Sequence, residues 1–220
     1  MPLRHFSERK KKFMLGVYDY TVILTYVGML TGLTGIALAM GGRIPWALLC
    51  LLLAGLCDMF DGKIASTKTD RTAQEKRFGV QIDSLSDLIC FGVLPGVVVY
   101  AAARGAIYAA AAAGLYVLAA LIRLAWFNVD EEQRQDTAGG QRELYLGLPV
   151  TTVALFLPTV LGLARLLHGS LPILGTALLV VLAAAFLTPF KLVKPRLPGK
   201  LLMILFGCCE VAIVLLGIRR

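Results

Sequence analysis

Seven apolar segments punctuate the chain, at about 20–40, 46–60, 82–103, 107–127, 148–167, 171–190 and 201–218. Most approach the roughly 20 apolar residues that carry a helix across the hydrocarbon core of a bilayer. The connections carry turn and loop signals. GGRIP at 41–45 and SLP at 170–172 are punctuated by Gly and Pro. The stretch 62–78 is polar, 128–143 has no apolar period and reads as a loop with a helical edge, and the basic 191–200 is broken by two prolines. This pattern predicts an all-α integral membrane protein, one membrane domain over 1–220 with a basic N-terminal segment at 1–16. Six segments read as spans. The seventh, 201–218, carries Glu210 mid-segment, a costly group in lipid. It is either a further span or a broken, re-entrant one.

Composition agrees: 58% of the 220 residues are hydrophobic and only 16% charged. The net charge of +8 fits a membrane protein resting against anionic lipid. No basic stripe interleaves with aromatics, so no nucleic-acid partner is expected. With the N-terminus in the cytoplasm, 17 of the 22 Lys and Arg residues fall on the cytoplasmic side and 5 on the other. That bias predicts a multi-pass protein with its N-terminus inside. The basic N-terminus leads into a long segment with Asp19 near its start, which reads as a retained span rather than a cleaved signal. The five cysteines show no metal-ligand spacing and read as small apolar filler. His5 and His168 lie far from other candidate chemistry, and Trp46 and Trp126 read as interfacial anchors.

The candidate chemistry lies at 57–87. Asp58 and Asp61 sit three apart at the end of the second segment, and Asp83 and Asp87 four apart at the start of the third. Each spacing puts two carboxylates on one helix face. The polar connection makes the two helices antiparallel neighbours, so both pairs reach the same, cytoplasmic depth. Four such carboxylates repel unless something neutralises them. Hard divalent cations such as Mg²⁺ or Mn²⁺ suit oxygen ligands, and two of them would clamp a diphosphate and an attacking hydroxyl. Gly62, Ala65 and Gly79 are small residues beside them, allowing a bulky ligand close to the backbone.

Residues Asp58-Met-Phe-Asp61-Gly62-Lys-Ile-Ala65 and Gly79-Val-Gln-Ile-Asp83-Ser-Leu-Ser-Asp87 resemble the signature of the CDP-alcohol phosphotransferases, D-x-x-D-G-x-x-A-R followed by G-x-x-x-D-x-x-x-D. Seven of the eight fixed positions match. The resemblance implies a six-helix membrane core, usually a homodimer, and transfer of a group from a CDP-linked donor with CMP leaving. It makes Asp58, Asp61, Asp83 and Asp87 the ligands of two Mg²⁺ or Mn²⁺ ions, with Asp87 also the general base. It places Asp58, Gly62, Ala65 and Gly79 against the nucleotide. Two departures stand out: Ser66 replaces the signature arginine, and the gap from Ala65 to Gly79 is longer by about four residues. Lys63, Lys68 or Arg71 is expected to supply the missing charge, although lysine lacks the fork of arginine.

Within the family the chain looks most like the phosphatidylserine synthases, on FGVQIDSLSDLICFGVLPG at 78–96, IRLAWFNV at 122–129 and YLGLPVTTVALFLP at 145–158. That resemblance implies CDP-diacylglycerol and L-serine as substrates, with Arg123 and Asn128 on the acceptor. An arginine at a span end also serves as a snorkelling anchor, and Thr151 and Thr152 as backbone-bonded hydroxyls. Asp19, Thr21 and Thr25 lie near the same depth. Other acceptors, such as glycerol 3-phosphate or inositol phosphate, stay open, since Arg134 and Arg142 add charge nearby. A cation or proton transporter would spread its carboxylates across the bilayer, whereas these cluster at one face. A non-catalytic lipid-binding scaffold would release no CMP.

Overall fold

A computed structural model describes residues 15–137, 144–193 and 197–218. The basic N-terminus, Arg142, Arg219 and Arg220 lie outside them, as does the side chain of Arg134. Eight α-helices occur among the described residues: α1 Tyr20–Met40, α2 Ile44–Ala65, α3 Ala73–Asp87, α4 Leu94–Ala102, α5 Ile107–Thr137, α6 Val153–Leu166, α7 Leu171–Leu187 and α8 Leu197–Ile218. A π-helical stretch, Leu88–Val93, joins α3 to α4, so the two form one 30-residue apolar rod, Ala73–Ala102. Large side chains such as Leu30, Leu53, Leu118 and Val181 point outward, as the surface of a lipid-embedded bundle should. The fold is that of an all-α, multi-pass membrane protein.

Two expectations need correction, and one open alternative is decided. The third helix begins at Ala73, nine residues before the apolar run, because Thr72 and Glu75 form a reciprocal capping box. The loop between α2 and α3 is therefore only 66–72. The fourth span continues as helix to Thr137, well into the stretch read as a loop. The seventh segment, open between a further span and a broken one, is a continuous 22-residue helix. A two-stranded antiparallel ladder, β1 Leu144–Leu146 with β2 Lys191–Val193, was not anticipated.

Helix α1 buries a single stripe, Thr21, Thr25, Gly28, Gly32, Gly35 and Ala39 among its members. The glycines permit close approach: a Cβ on Gly32 would fall 2.6 Å from the Cys90 sulfur, and one on Gly35 2.9 Å from the Cys50 Cβ. Small residues draw membrane helices together in this way when no hydrophobic force acts between them. The result docks α1 against both α2 and the α3–α4 rod.

Beneath the polar end lies an apolar core of Leu51, Phe91, Leu94, Val98, Leu157 and Leu179. Its backbone is irregular just beyond Asp87. Pro95 has no N–H to give the Phe91 carbonyl one turn back. The fully buried Tyr116 hydroxyl of α5 donates to that carbonyl at 2.5 Å, and its ring packs on Phe186 of α7. Tyr116→Phe is expected to destabilise the protein by about 1–3 kcal/mol, the cost of a buried carbonyl losing its donor. Denaturant unfolding in detergent checks this, and unchanged stability would show that the carbonyl has another donor.

Candidate active site

Helices α2 and α3 run antiparallel, both packed on α1, and this sets the register of the aspartates. Asp58 lies within hydrogen-bond reach of Asp87, and Asp61 of Asp83. An oxygen from each of Asp58, Asp83 and Asp87 lies within 4.8 Å of the others. Asp61 is buried, and its Oδ2 accepts a hydrogen bond from the Thr25 hydroxyl of α1 at 3.0 Å. Among the described residues, no lysine or arginine forms a salt bridge with any of the four. The donors are all carboxylate oxygens on two rigid helices, and their charge goes unanswered by protein cations. This acidic group could bind a divalent cation, because hard oxygen ligands without nitrogen or sulfur suit such ions.

The small residues of the signature are placed differently from one another. Gly62 is exposed with open space where a Cβ would stand, and Ala65 closes α2. Gly79 lies one turn ahead of Asp83, with the Arg71 guanidinium packed on it; a Cβ there would lie 2.5 Å from Arg71 Nη2. That nitrogen donates to the Glu75 carbonyl at 3.1 Å, while the buried Arg71 Nε has no hydrogen-bond partner. Lys63 is exposed. Lys68 is already engaged, donating to Asp19 at 2.7 Å and lying 3.9 Å from Glu75. Ser66 turns to the Lys63 carbonyl.

On α5, the Asn128 side-chain oxygen accepts from the Ser84 hydroxyl at 2.9 Å, which ties it to the helix of Asp83 and Asp87. Arg123 is buried; its Nε–H donates to the Leu148 carbonyl at 3.2 Å, and its guanidinium lies over the Phe127 ring. Gly147 makes this possible. Its φ of +73° suits glycine, and a Cβ would lie 3.0 Å from the Thr188 carbonyl. Thr152 bonds the Pro149 carbonyl, whereas Thr151 lines a cavity that reaches Asp58. Two features carried weak sequence signals: Thr25 on Asp61, and the Asp19–Lys68 pair, whose members are 49 residues apart.

Fold and site together define a polytopic helical membrane protein whose paired aspartates meet across a helix hairpin. Residues 21–190 match the CDP-alcohol phosphatidyltransferase family, and the chain belongs to that family. Among its relatives is the archaetidylserine synthase of Methanothermobacter thermautotrophicus, 35% identical over 134 residues, covering 60% of this chain and 54% of the relative. CDP-diacylglycerol–serine O-phosphatidyltransferases are similar too. That of Saccharomyces cerevisiae is 35% identical over 116 residues, 51% of this chain and 39% of the relative. That of Mycobacterium leprae is 32% identical over 144 residues, 65% of this chain and 45% of the relative. The chain thus spans about half or less of these relatives' length.

The Asp19–Lys68 pair joins the N-cap of α1 to the loop after α2, outside the spans. The Lys68 ammonium, followed by the Thr21 hydroxyl, holds the Asp19 carboxyl down at about 2, and Asp19 in turn raises Lys68. A depressed carboxyl stabilises the fold above its unfolded value near 3.9 and loses that effect as pH falls through about 2. The raised ammonium stabilises below its unfolded value and loses the effect as pH climbs past its folded one. Asp19→Asn is therefore expected to lower the Tm by a constant amount between mildly acidic and mildly basic pH, the gap closing at both extremes. Thermal scans across pH check this; a gap that widens in acid contradicts the pairing.

Proposed function

We propose that this chain transfers the phosphatidyl group of CDP-diacylglycerol to L-serine, giving phosphatidylserine and CMP. The observation that carries the reading is the meeting of Asp58 with Asp87 and Asp61 with Asp83 across the α2–α3 hairpin, in a chain of this family. The names of the relatives specify serine, which favours it over other acceptors. A multi-pass topology with the aspartates on the cytoplasmic side follows from the Lys and Arg bias. A single membrane domain and a homodimer are the expected organisation.

Asp58, Asp61, Asp83 and Asp87 hold two divalent cations, Mg²⁺ or Mn²⁺. When bound, these supply positive charge to the donor's diphosphate and to the leaving CMP. The chain's own residues do the rest. Thr25 fixes the rotamer of Asp61. Gly62 leaves open space beside the hairpin for the nucleotide. Asp87 takes the proton of the serine hydroxyl as its oxygen bonds to the phosphorus bearing diacylglycerol and the bond from that phosphorus to CMP breaks. Ser84 holds Asn128 toward the same helix, where with Arg123 it orients the zwitterionic acceptor.

Purified protein with CDP-diacylglycerol, a divalent cation and a panel of alcohols tests the reading. CMP release with L-serine supports it. Release only with glycerol 3-phosphate or inositol phosphate replaces the acceptor, and no release with any alcohol overturns it. Exhaustive chelation is expected to abolish turnover, and Mg²⁺ or Mn²⁺ to restore it. Asp83→Asn should fold normally and lose more than the roughly 10–100-fold that outer-shell partners of a metal typically cost.

The site geometry also ranks the candidates for the charge absent at Ser66. Lys68 is occupied by Asp19, whereas Arg71 presents an unpartnered Nε on the signature glycine, Gly79. Arg71→Ala is expected to raise the KM for the donor roughly 10-fold, as the loss of a charged hydrogen bond does, and to leave the acceptor KM unchanged. Donor and acceptor titrations of the variant distinguish this from a general loss of activity.

A further inference from the structure

The family match ends at residue 190, and α8 lies beyond it. This helix nonetheless builds part of a large cavity. About 400 Å³ in volume, the cavity lies between α2, the start of α6 and α8, with Asp58 and Thr151 as its polar lining. Its apolar wall on α2 runs from Met59 back to Leu49. The nine residue steps from Leu49 to Asp58 rise about 13 Å at 1.5 Å each, close to half of the roughly 30 Å hydrocarbon core. The groove therefore begins at a carboxylate of the acidic group and descends one leaflet deep. Its α8 wall is Gly207, Cys208 and Val211.

What holds α8 there is polar. Glu210, between Gly207 and Val211, is 1% exposed, and its Oε1 bonds the Thr159 hydroxyl of α6 at 2.6 Å. Further along the same seam, Arg165 Nε–H donates to the Gly217 carbonyl at 2.7 Å. Gly162 lies under Ile213, where a Cβ would come within 2.7 Å of the Ile213 side chain. A carboxyl buried in an apolar bundle cannot leave its partner without a large desolvation cost, so Glu210 fixes the distance and rotation of α8 against α6.

We propose that α8, clamped by Glu210, is the wall that receives one acyl chain of the lipid donor and selects for its length. Glu210 is a positioning residue in this scheme, and the inference rests on the donor reading above. An amphiphile with a phosphate at Asp58 and one alkyl chain along α2, α6 and α8 matches the groove's polar end, apolar walls and depth.

The test compares dioleoyl with dihexanoyl CDP-diacylglycerol on the full chain in detergent. Two readouts are used: KM and kcat for CMP release, and lipid retention by native mass spectrometry without acceptor. Gly207→Leu is the main variant, because a Cβ at Gly207 meets nothing within 4 Å, so the side chain enters the groove without disturbing the fold. Each buried methylene it displaces costs a factor of roughly 4 in affinity. A KM rise of roughly 10-fold or more for the dioleoyl donor is expected, with the dihexanoyl KM and both kcat values unchanged. Glu210→Leu should produce the same split, and Glu210→Gln, which keeps a hydrogen-bonding end group, should return both donors to wild-type KM values. Equal effects on both donors, or none, would overturn the role of α8. Chain-length discrimination in retention with no CMP release would instead leave α8 in place and remove the donor chemistry.

Discussion

Everything at the polar end of this bundle answers one electrostatic constraint: four carboxyl groups meet within hydrogen-bond reach at the edge of an apolar hairpin, with no protein cation among the described residues to oppose them. Coulomb repulsion strengthens as water is excluded, so the arrangement needs cations or protons between the oxygens. The helices must also hold their register against that repulsion. The stripe of small residues on α1 lets one helix clasp both α2 and the α3–α4 rod. Thr25 on that stripe places its hydroxyl on Asp61. The packing of an apolar helix and the orientation of a charged group thus come from the same face.

The rod that carries Asp83 and Asp87 is not a uniform α-helix. Directly after Asp87 it widens into the π turn Leu88–Val93 and then meets Pro95. Such bulges recur at functional sites, and here there is a mechanical reason for one. The π turn changes the rotation of everything that follows relative to the aspartates. Asp87 can therefore face α2 while Leu94 and Val98 still face the core. Tyr116, reaching from α5 to the Phe91 carbonyl, stabilises the irregularity.

The spacing of the aspartates is enough to place each pair on one face of its own helix, because i,i+3 and i,i+4 positions share a face regardless of tertiary context; the polar connection brings the two faces to the same depth. The start of α3 is legible too: Thr72-Ala-Gln-Glu75 is a capping signature, although the apolar run begins ten residues later. The extension of α5 through NVDEEQRQDT follows from helix propagation off a long span rather than from any apolar period. Cations were hardest to assign. Lys63, Lys68 and Arg71 look equivalent along the loop, and only the fold reveals that Asp19, 49 residues distant, occupies Lys68. Arg123 likewise reads as an exposed anchor or an acceptor contact. Its burial depends on Gly147 bringing the Leu148 carbonyl over it.

These assignments change how the loop between α2 and α3 should be understood. An insertion beside a signature normally weakens the argument from it. Here the longer connection is spent on structure: Thr72 and Glu75 cap α3, Lys68 bonds across to the N-cap of α1, and Arg71 folds back on Gly79. The loop thereby adds polar links to three helices that already meet through small-residue packing and the Thr25–Asp61 bond. It also leaves Arg71 as the cation packed on the signature glycine, one turn from Asp83. A guanidinium presents donors in a rigid fork that a lysine cannot imitate, and the turn into the capped start of α3 is what lays that fork on Gly79.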